Sequence, residues 1–351
     1  MRILKYAEAI SEALREEMER DERVFLMGED IGLVGGIFKI TKGFMEKFGE
    51  ERVRDTPISE DAIIGAAIGA ALVGMRPVVE IMYADFLYVG GDQLFNHLPK
   101  IRFMTGGKLK VPVVVRTQFG LYRYTAAQHS QVPFVQLMNT PGVYIEVPST
   151  PYDAKGLLKA AIRDDNPDVF LENADLYYTI TGPVPEEDYI IPLGKADVKR
   201  EGRDVTIFAI SYMVHVALKA AELLSKEGIE VEVIDPRTLS PLDKKTLIDS
   251  VKETGRLIIV EPDIKTAGVG AEISAIIAEE AYDYLKSPIL RLGDEDIPAV
   301  FSKPVRDECL PKEETVIQAV KKLIVVKEVM KKNVKTKTRK KKRSSRKSSS
   351  R

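Results

Sequence analysis

The sequence predicts an α/β protein of two domains, each with a mostly parallel sheet flanked by helices. Two patterns carry this. Short apolar runs at Val24–Met27, Pro77–Tyr83, Val111–Arg116, Tyr144–Val147 and Val169–Leu171 are separated by helical stretches, the rhythm of parallel strands joined by crossover helices. A polar, proline-containing segment, TGPVPEEDYIIPLGKADVKREGRD from Thr181 to Asp204, interrupts that rhythm before a second alternation begins. The expected bounds are 1–180 for the first domain, 181–203 for a connection, 204–330 for the second domain and 331–351 for a tail. A chain of 351 residues with 44% hydrophobic content is long enough for two cores.

Taken in order, MRILKYAEAISEALREEMERDERV reads as an amphipathic charged helix and lacks the continuous apolar core of a signal peptide. Secretion is not expected, and a cytoplasmic chain is. After the connection come strands at Val205–Ile210, Ile229–Ile234 and Leu257–Val260. Helices are expected around Val214–Lys226, Leu242–Lys252 and Gly270–Leu285, and a last one from Glu313. Cys309 is the only cysteine, which excludes an intrachain disulfide and a cysteine-cluster zinc site. His97, His129 and His215 are scattered, against a histidine-rich metal site.

The formal charge of -1 hides an asymmetry. Lys331 to Arg351 hold 12 Lys/Arg and no acid, leaving 40 basic against 53 acidic side chains in the rest. The RKKKR run among serines reads first as a disordered, self-repelling tail. Binding to nucleic acid, an anionic membrane or an acidic partner is the second reading, weakened because no aromatic residue interleaves the charges.

The stretch Asp55 to Phe86 organises the first domain. From Ala62 to Met75 no side chain is polar, so a helix here is expected to be buried on every face, and it is too short to span a bilayer. Ser59 is a candidate N-cap, with Glu60 and Asp61 in the first turn. Acids there ordinarily complement the helix dipole. A carboxylate carried into the interior is different, since burial without a partner costs several kcal/mol. A buried Glu60 calls for a partner such as a ring nitrogen that gains or shares a proton.

TPISE before a Gly/Ala-rich helix, then GMRPVVEIMYADF, AAQHSQ (Ala126 to Gln131), PSTPYDAKGLLKAAIRDDNP (Pro148 to Pro167), FLEN and GVGAEI, resembles the beta subunit of thiamine diphosphate-dependent 2-oxo acid dehydrogenases. That family is the decarboxylating first component of pyruvate, branched-chain and acetoin dehydrogenase complexes. The resemblance covers about residues 2 to 325 and implies a transketolase-type pyrimidine-binding domain followed by a transketolase C-terminal-like domain. It implies that Glu60 hydrogen-bonds the aminopyrimidine ring of thiamine diphosphate, that Phe86 packs on that ring, and that His129 meets the substrate or the incoming lipoyl group. For Phe86 and His129 the alternatives are simple core and an unremarked histidine. In some members a structural potassium ion sits at the segment matching Ala161, Ile162, Asp164 and Asn166; an ordinary helix end and turn is an equal reading.

The diphosphate and Mg2+ of the cofactor are bound in the broader family by a GDG motif, which this chain lacks. Gly106-Gly107-Lys108 lacks the spacing of a P-loop, and Gly268-Val269-Gly270 lacks the third glycine of a dinucleotide fingerprint, so both read as turns or helix starts. The resemblance therefore implies a shared site completed by an alpha subunit in an alpha2beta2 heterotetramer that docks on a lipoyl acyltransferase core. Single-chain transketolase or deoxyxylulose phosphate synthase chemistry is disfavoured. Two departures fall near the substrate and lipoyl entrance: FGLYRYT (Phe119 to Thr125) stands where family members have a glycine-rich loop, and Asn139 stands where they have a histidine. The substrate stays open between a pyruvate-like 2-oxo acid and acetoin. A non-catalytic paralogue tethered by its basic tail is the rival class.

Overall fold

The computed structural model describes residues 1–120 and 124–324; Leu121, Tyr122 and Arg123 of the FGLYRYT loop and the basic tail 331–351 lie outside the described residues. The first part runs β1 (Arg2–Lys5), α1 (Tyr6–Arg20), β2 (Val24–Gly28), α2 (Phe44–Phe48), β3 (Val53–Asp55), α3 (Glu60–Leu72), β4 (Arg76–Ile81), α4 (Ile101–Met104), β5 (Val114–Phe119), α5 (Phe134–Met138), β6 (Tyr144–Glu146), α6 (Pro151–Arg163), β7 (Asp168–Asn173) and β8 (Thr181–Val184). The second runs β9 (Asp197–Arg200), β10 (Val205–Ala209), α7 (Tyr212–Ser225), β11 (Val231–Asp235), β12 (Thr238–Ser240), α8 (Lys244–Thr254), β13 (Leu257–Ile264), α9 (Val269–Glu280), β14 (Leu290–Asp294) and α10 (Lys303–Cys309). Residues 313–324 are helical.

A seven-stranded sheet has the order β12-β6-β7-β5-β4-β2-β3 and is parallel except for β12. A five-stranded sheet has the order β14-β13-β10-β11-β9 and is parallel except for β9. The period of two along each strand sorts side chains to opposite faces. Val24, Leu26, Val78, Val114 and Phe170 pack with Ile10 and Leu14 of α1 and Leu157 and Leu158 of α6. Phe25, Met27, Val79, Val115 and Val169 pack with Ile63, Ile64 and Ala67 of α3, in a core that continues into Phe208, Ile273 and Ile277 of the second part. Arg116 lies wholly inside the large sheet, donating to Glu172 at 2.6 and 2.9 Å and to Glu80 at 2.9 Å. Removing one partner of such a buried network costs about 3–5 kcal/mol.

Segment 181–203 joins the two parts and carries short strands: β8 pairs with β1 and β9 pairs with β11. The second part also lends β12 to the first sheet beside β6, so the boundary at 204 is crossed by backbone hydrogen bonds. One expectation needs correction: α3 is buried on one face only, not on every face. Ile63, Ile64, Ala67, Ile68 and Ala71 are inside, whereas Ala62, Ala66, Gly69 and Val73 are exposed, Val73 to 82%. These four follow a helical stripe, and among the described residues nothing buries it. Ser59 does occupy the N-cap position, but its side chain makes no capping hydrogen bond.

Candidate functional site

β2, β3, β4 and β5 run parallel, so their carboxyl ends open on one edge of the sheet, the edge at which α/β folds bind ligands. Everything singled out for chemistry except the 161–166 segment leaves from that edge. The loop after β2 is shaped by Asp55, which accepts the Gly32 and Leu33 amides at 2.6 and 3.0 Å. The link after β3 leads into α3, whose first residue is Glu60.

Glu60 is 6% exposed, and among the described residues its carboxylate has no hydrogen-bond or ion-pair partner. Burial pushes the neighbouring Glu29 carboxyl up, and the negative charges of Glu60 and Asp30 push it further the same way. The backbone at Gly90 comes tight against Glu60. A β-carbon at Gly90 would lie 2.7 Å from Ile64 Cδ1 and 3.1 Å from the Glu60 carbonyl oxygen.

Four residues before Gly90, Phe86 lies on a 3-10 turn from Ala84 to Tyr88. The ring of His129 stands edge-on between two aromatic rings, 5.4 Å from Phe86 and 5.3 Å from Tyr83, at 85° and 83°, the perpendicular geometry that ring quadrupoles favour. The His129 turn is pinned from both sides. Thr125 Oγ1 donates to the His129 carbonyl at 2.8 Å, and the Gln131 amide donates to Asp85 Oδ1 at 3.3 Å. Asp85 Oδ2 is buried with no partner among the described residues.

The structure thus brings Phe86 and His129 into contact and places Glu60 against the segment that follows Phe86. Sequence reasoning missed Glu29, Tyr83, Asp85 and Gly90. Asp85 has one local signal, its place beside Phe86 in ADF. The others are recognisable only once strands far apart in sequence are set side by side.

Ala161, Ile162, Asp164 and Asn166 lie elsewhere, at the carboxyl end of α6. Their oxygens are already engaged. The Arg76 guanidinium donates to the Ile162 carbonyl at 2.8 Å, to the Asp164 carbonyl, and to Asp165 Oδ1 at 3.2 Å. Asp164 Oδ1 accepts from the Asn166 amide and Nδ2, both at 2.7 Å, and Asn166 Oδ1 accepts from Arg102 at 2.7 Å. The Ala161 carbonyl accepts from the Asp164 amide at 3.2 Å. A positive charge is therefore seated at this cluster by the chain itself.

A cavity of about 530 Å³ separates the two parts, lined by Tyr88, Ser130, Gln131 and Gln136 on one side and by Asp263 and Asp296 on the other. Burial pushes the Asp263 carboxyl up to about 7. The GVG segment opens α9, and the Glu261 carboxylate already accepts the Gly270 amide at that helix start. Among the described residues, no three His, Cys, Asp or Glu side chains cluster to hold a metal, and no helix is long and apolar enough to cross a membrane.

Comparison with known proteins defines the class first. Residues 3–179 match the family described as transketolase, pyrimidine binding domain, and residues 194–316 match transketolase, C-terminal domain. A solved structure described as a split gene transketolase, inactive beta4 tetramer, aligns with a TM-score of 0.76 over 92% of this chain and 99% of that one. At 23% identity that likeness is one of fold. Curated relatives narrow it. The chain is 47% identical over 308 residues to the 2-oxoisovalerate dehydrogenase subunit beta of Bacillus subtilis (strain 168), covering 88% of this chain and 94% of that one. Two further relatives come from the same organism. Identity is 44% to its pyruvate dehydrogenase E1 component subunit beta, covering 90% and 97%, and 43% to its acetoin:2,6-dichlorophenolindophenol oxidoreductase subunit beta, covering 92% and 98%. The chain belongs to the family of transketolase-like beta subunits of pyruvate, branched-chain 2-oxo acid and acetoin dehydrogenases.

Proposed function

We propose that this chain contributes the aminopyrimidine half of a thiamine diphosphate site. That site carries out oxidative decarboxylation of a 2-oxo acid and reductive acylation of a lipoyl group. The observation that carries the reading is Glu60: a nearly buried residue whose carboxylate has no hydrogen-bond or ion-pair partner among the described residues, at the carboxyl edge of a parallel sheet, beside the segment that bears Phe86. With no partner among the described residues, that carboxylate is free to accept from a protonated ring nitrogen, whose charge it would stabilise. When bound, thiamine diphosphate supplies the electron sink for the pair released by decarboxylation.

The chain's own part is to hold and orient. Glu60 holds a proton on the aminopyrimidine nitrogen, in a water-poor site where that interaction is strong. Phe86 offers a ring face or edge to the same heterocycle, and His129 presents its imidazole to the substrate or the lipoyl group. A pyruvate-like 2-oxo acid is the first substrate class and acetoin the alternative. The absence of a GDG motif assigns the diphosphate and Mg2+ to an alpha subunit, in an alpha2beta2 heterotetramer docked on a lipoyl acyltransferase core.

The test is co-expression with a matching alpha chain and assay across pyruvate, branched-chain 2-oxo acids and acetoin. Turnover should need both chains, and Glu60→Gln should lower kcat by about 10²-fold or more with assembly intact. An assembled complex whose turnover ignores that substitution would sink the assignment.

Potassium at Ala161, Ile162, Asp164 and Asn166 is a narrower part of the proposal, since the ion has to share two carbonyls with Arg76. It predicts a higher Tm in KCl than in choline chloride at equal ionic strength, by several degrees for about 1 kcal/mol. Equal melting temperatures would remove it.

A further inference from the structure

We infer that Tyr124 is a positioning residue: its hydroxyl, clasped by Lys303 and Asp307 of the second domain, fixes the turn that carries His129. The inference deepens the reading of His129 as the group that meets substrate or lipoyl, and rests on it.

The clasp is a closed ring of three polar contacts. The Tyr124 hydroxyl donates to Asp307 Oδ1 at 2.7 Å and accepts from Lys303 Nζ at 2.7 Å, and Lys303 Nζ reaches Asp307 Oδ2 at 2.7 Å. The same ammonium stands 4.7 Å from the Tyr124 ring centroid, within cation–π range. Lys303 and Asp307 are one helical turn apart on α10. An exposed pair of that kind contributes little by itself. Here both members converge on one hydroxyl from the other domain, 183 residues away in sequence.

The backbone shows why a clasp is needed. Tyr124 has φ +57 and Ala126 has φ +64, a left-handed conformation that side chains other than glycine disfavour. Such residues persist where their surroundings over-determine them, and they gather at functional sites. From Tyr124 the constraint passes along short contacts. Thr125 Oγ1 reaches both the His129 carbonyl and Ser130 Oγ at 2.8 Å, and the Gln131 amide is held by Asp85. His129 is therefore suspended between α10 and Asp85, with Tyr83 and Phe86 setting the angle of its ring. Tyr124 falls in the FGLYRYT segment, where this chain departs from the glycine-rich loop of its family.

The test uses the assembled alpha–beta complex with Tyr124→Phe, Lys303→Met, Asp307→Asn, His129→Ala and the double variant Tyr124→Phe/His129→Ala. Tyr124→Phe should lower kcat by about 3–10-fold with little change in KM, and Lys303→Met and Asp307→Asn should do the same. Amide exchange at His129 to Gln131 should speed up about tenfold or more in all three. Adding Tyr124→Phe to His129→Ala should cause no further loss, because the first acts through the second; a general structural role would give losses that multiply. Multiplying losses, or unchanged exchange in Tyr124→Phe, overturn the inference. If His129→Ala keeps full turnover, the catalytic reading of His129 fails instead, and the exchange measurement alone decides whether the clasp holds the turn.

Discussion

Glu261, near the end of β13, shows how a single carboxyl can set a pH dependence. It is fully buried, and its carboxylate accepts the Gly270 amide at 3.2 and 3.1 Å where α9 begins. Burial pushes its pKa up to about 7, with the nearby Asp263 adding in the same direction. The folded state thus binds the proton more tightly than the unfolded chain, whose glutamates titrate near 4.3. Stability from this group is complete below the unfolded value and is lost as pH rises through about 7. The full effect is on the order of 3 kcal/mol. Glu261→Gln keeps an acceptor for the helix start and removes the titration. Its stability by urea unfolding should fall less between pH 4.5 and 7.5 than that of the unaltered chain, and parallel curves for the two proteins would refute the assignment.

At the scale of elements, the packing of the 84–97 segment on α3 places the site. At Gly90 the two come into tight contact, and its φ is not the reason, since glycine is needed there for space. Gly90→Ala has to displace Ile64 and the Glu60 backbone, at about 1–3 kcal/mol, and should depress turnover of the alpha–beta complex more than a surface substitution of equal stability cost. A Gly90→Ala protein with unaltered stability and kcat would show that this contact does not position Glu60. Elements of this kind were unevenly legible. α6 is announced by Thr150, which caps it by accepting the Asp153 amide, and by Pro151 in its first turn. The long apolar strands announce themselves by composition. β3 and β12 are three residues each and exist through partners distant in sequence, so no local pattern marks them. Glu60, Phe86 and His129 could be picked out by resemblance, but their surroundings could not: Tyr83, Asp85 and Tyr124 matter through contacts that cross the sheet edge or the domain boundary.

For the whole molecule, the uncovered face of α3 is the feature that the isolated chain leaves unresolved energetically. Ala62, Ala66, Gly69 and Val73 form its exposed stripe. On the loops and short elements of the first domain, Leu33, Ile58 and Phe103 are each more than 80% exposed. An apolar stripe left exposed along one helix face is the kind of surface that marks an interaction site. A helix that is apolar all round makes sense only if another chain takes up the face its own sheet does not. We propose the alpha subunit as that chain; the small residues would allow close backbone approach. Ala66→Glu and Val73→Glu test this directly. On the isolated beta chain each should shift stability by no more than about 0.5 kcal/mol, because these side chains touch little. In the complex each forces a carboxylate into an apolar interface at a cost of several kcal/mol, so alpha affinity should fall by about 10²-fold or more. Glu60 would then lose the cover of the second subunit, and turnover should fall in step with assembly at limiting alpha concentration and recover when alpha is supplied in large excess. Undiminished alpha binding in both variants would place the partner on another face and detach the α3 stripe from the shared site.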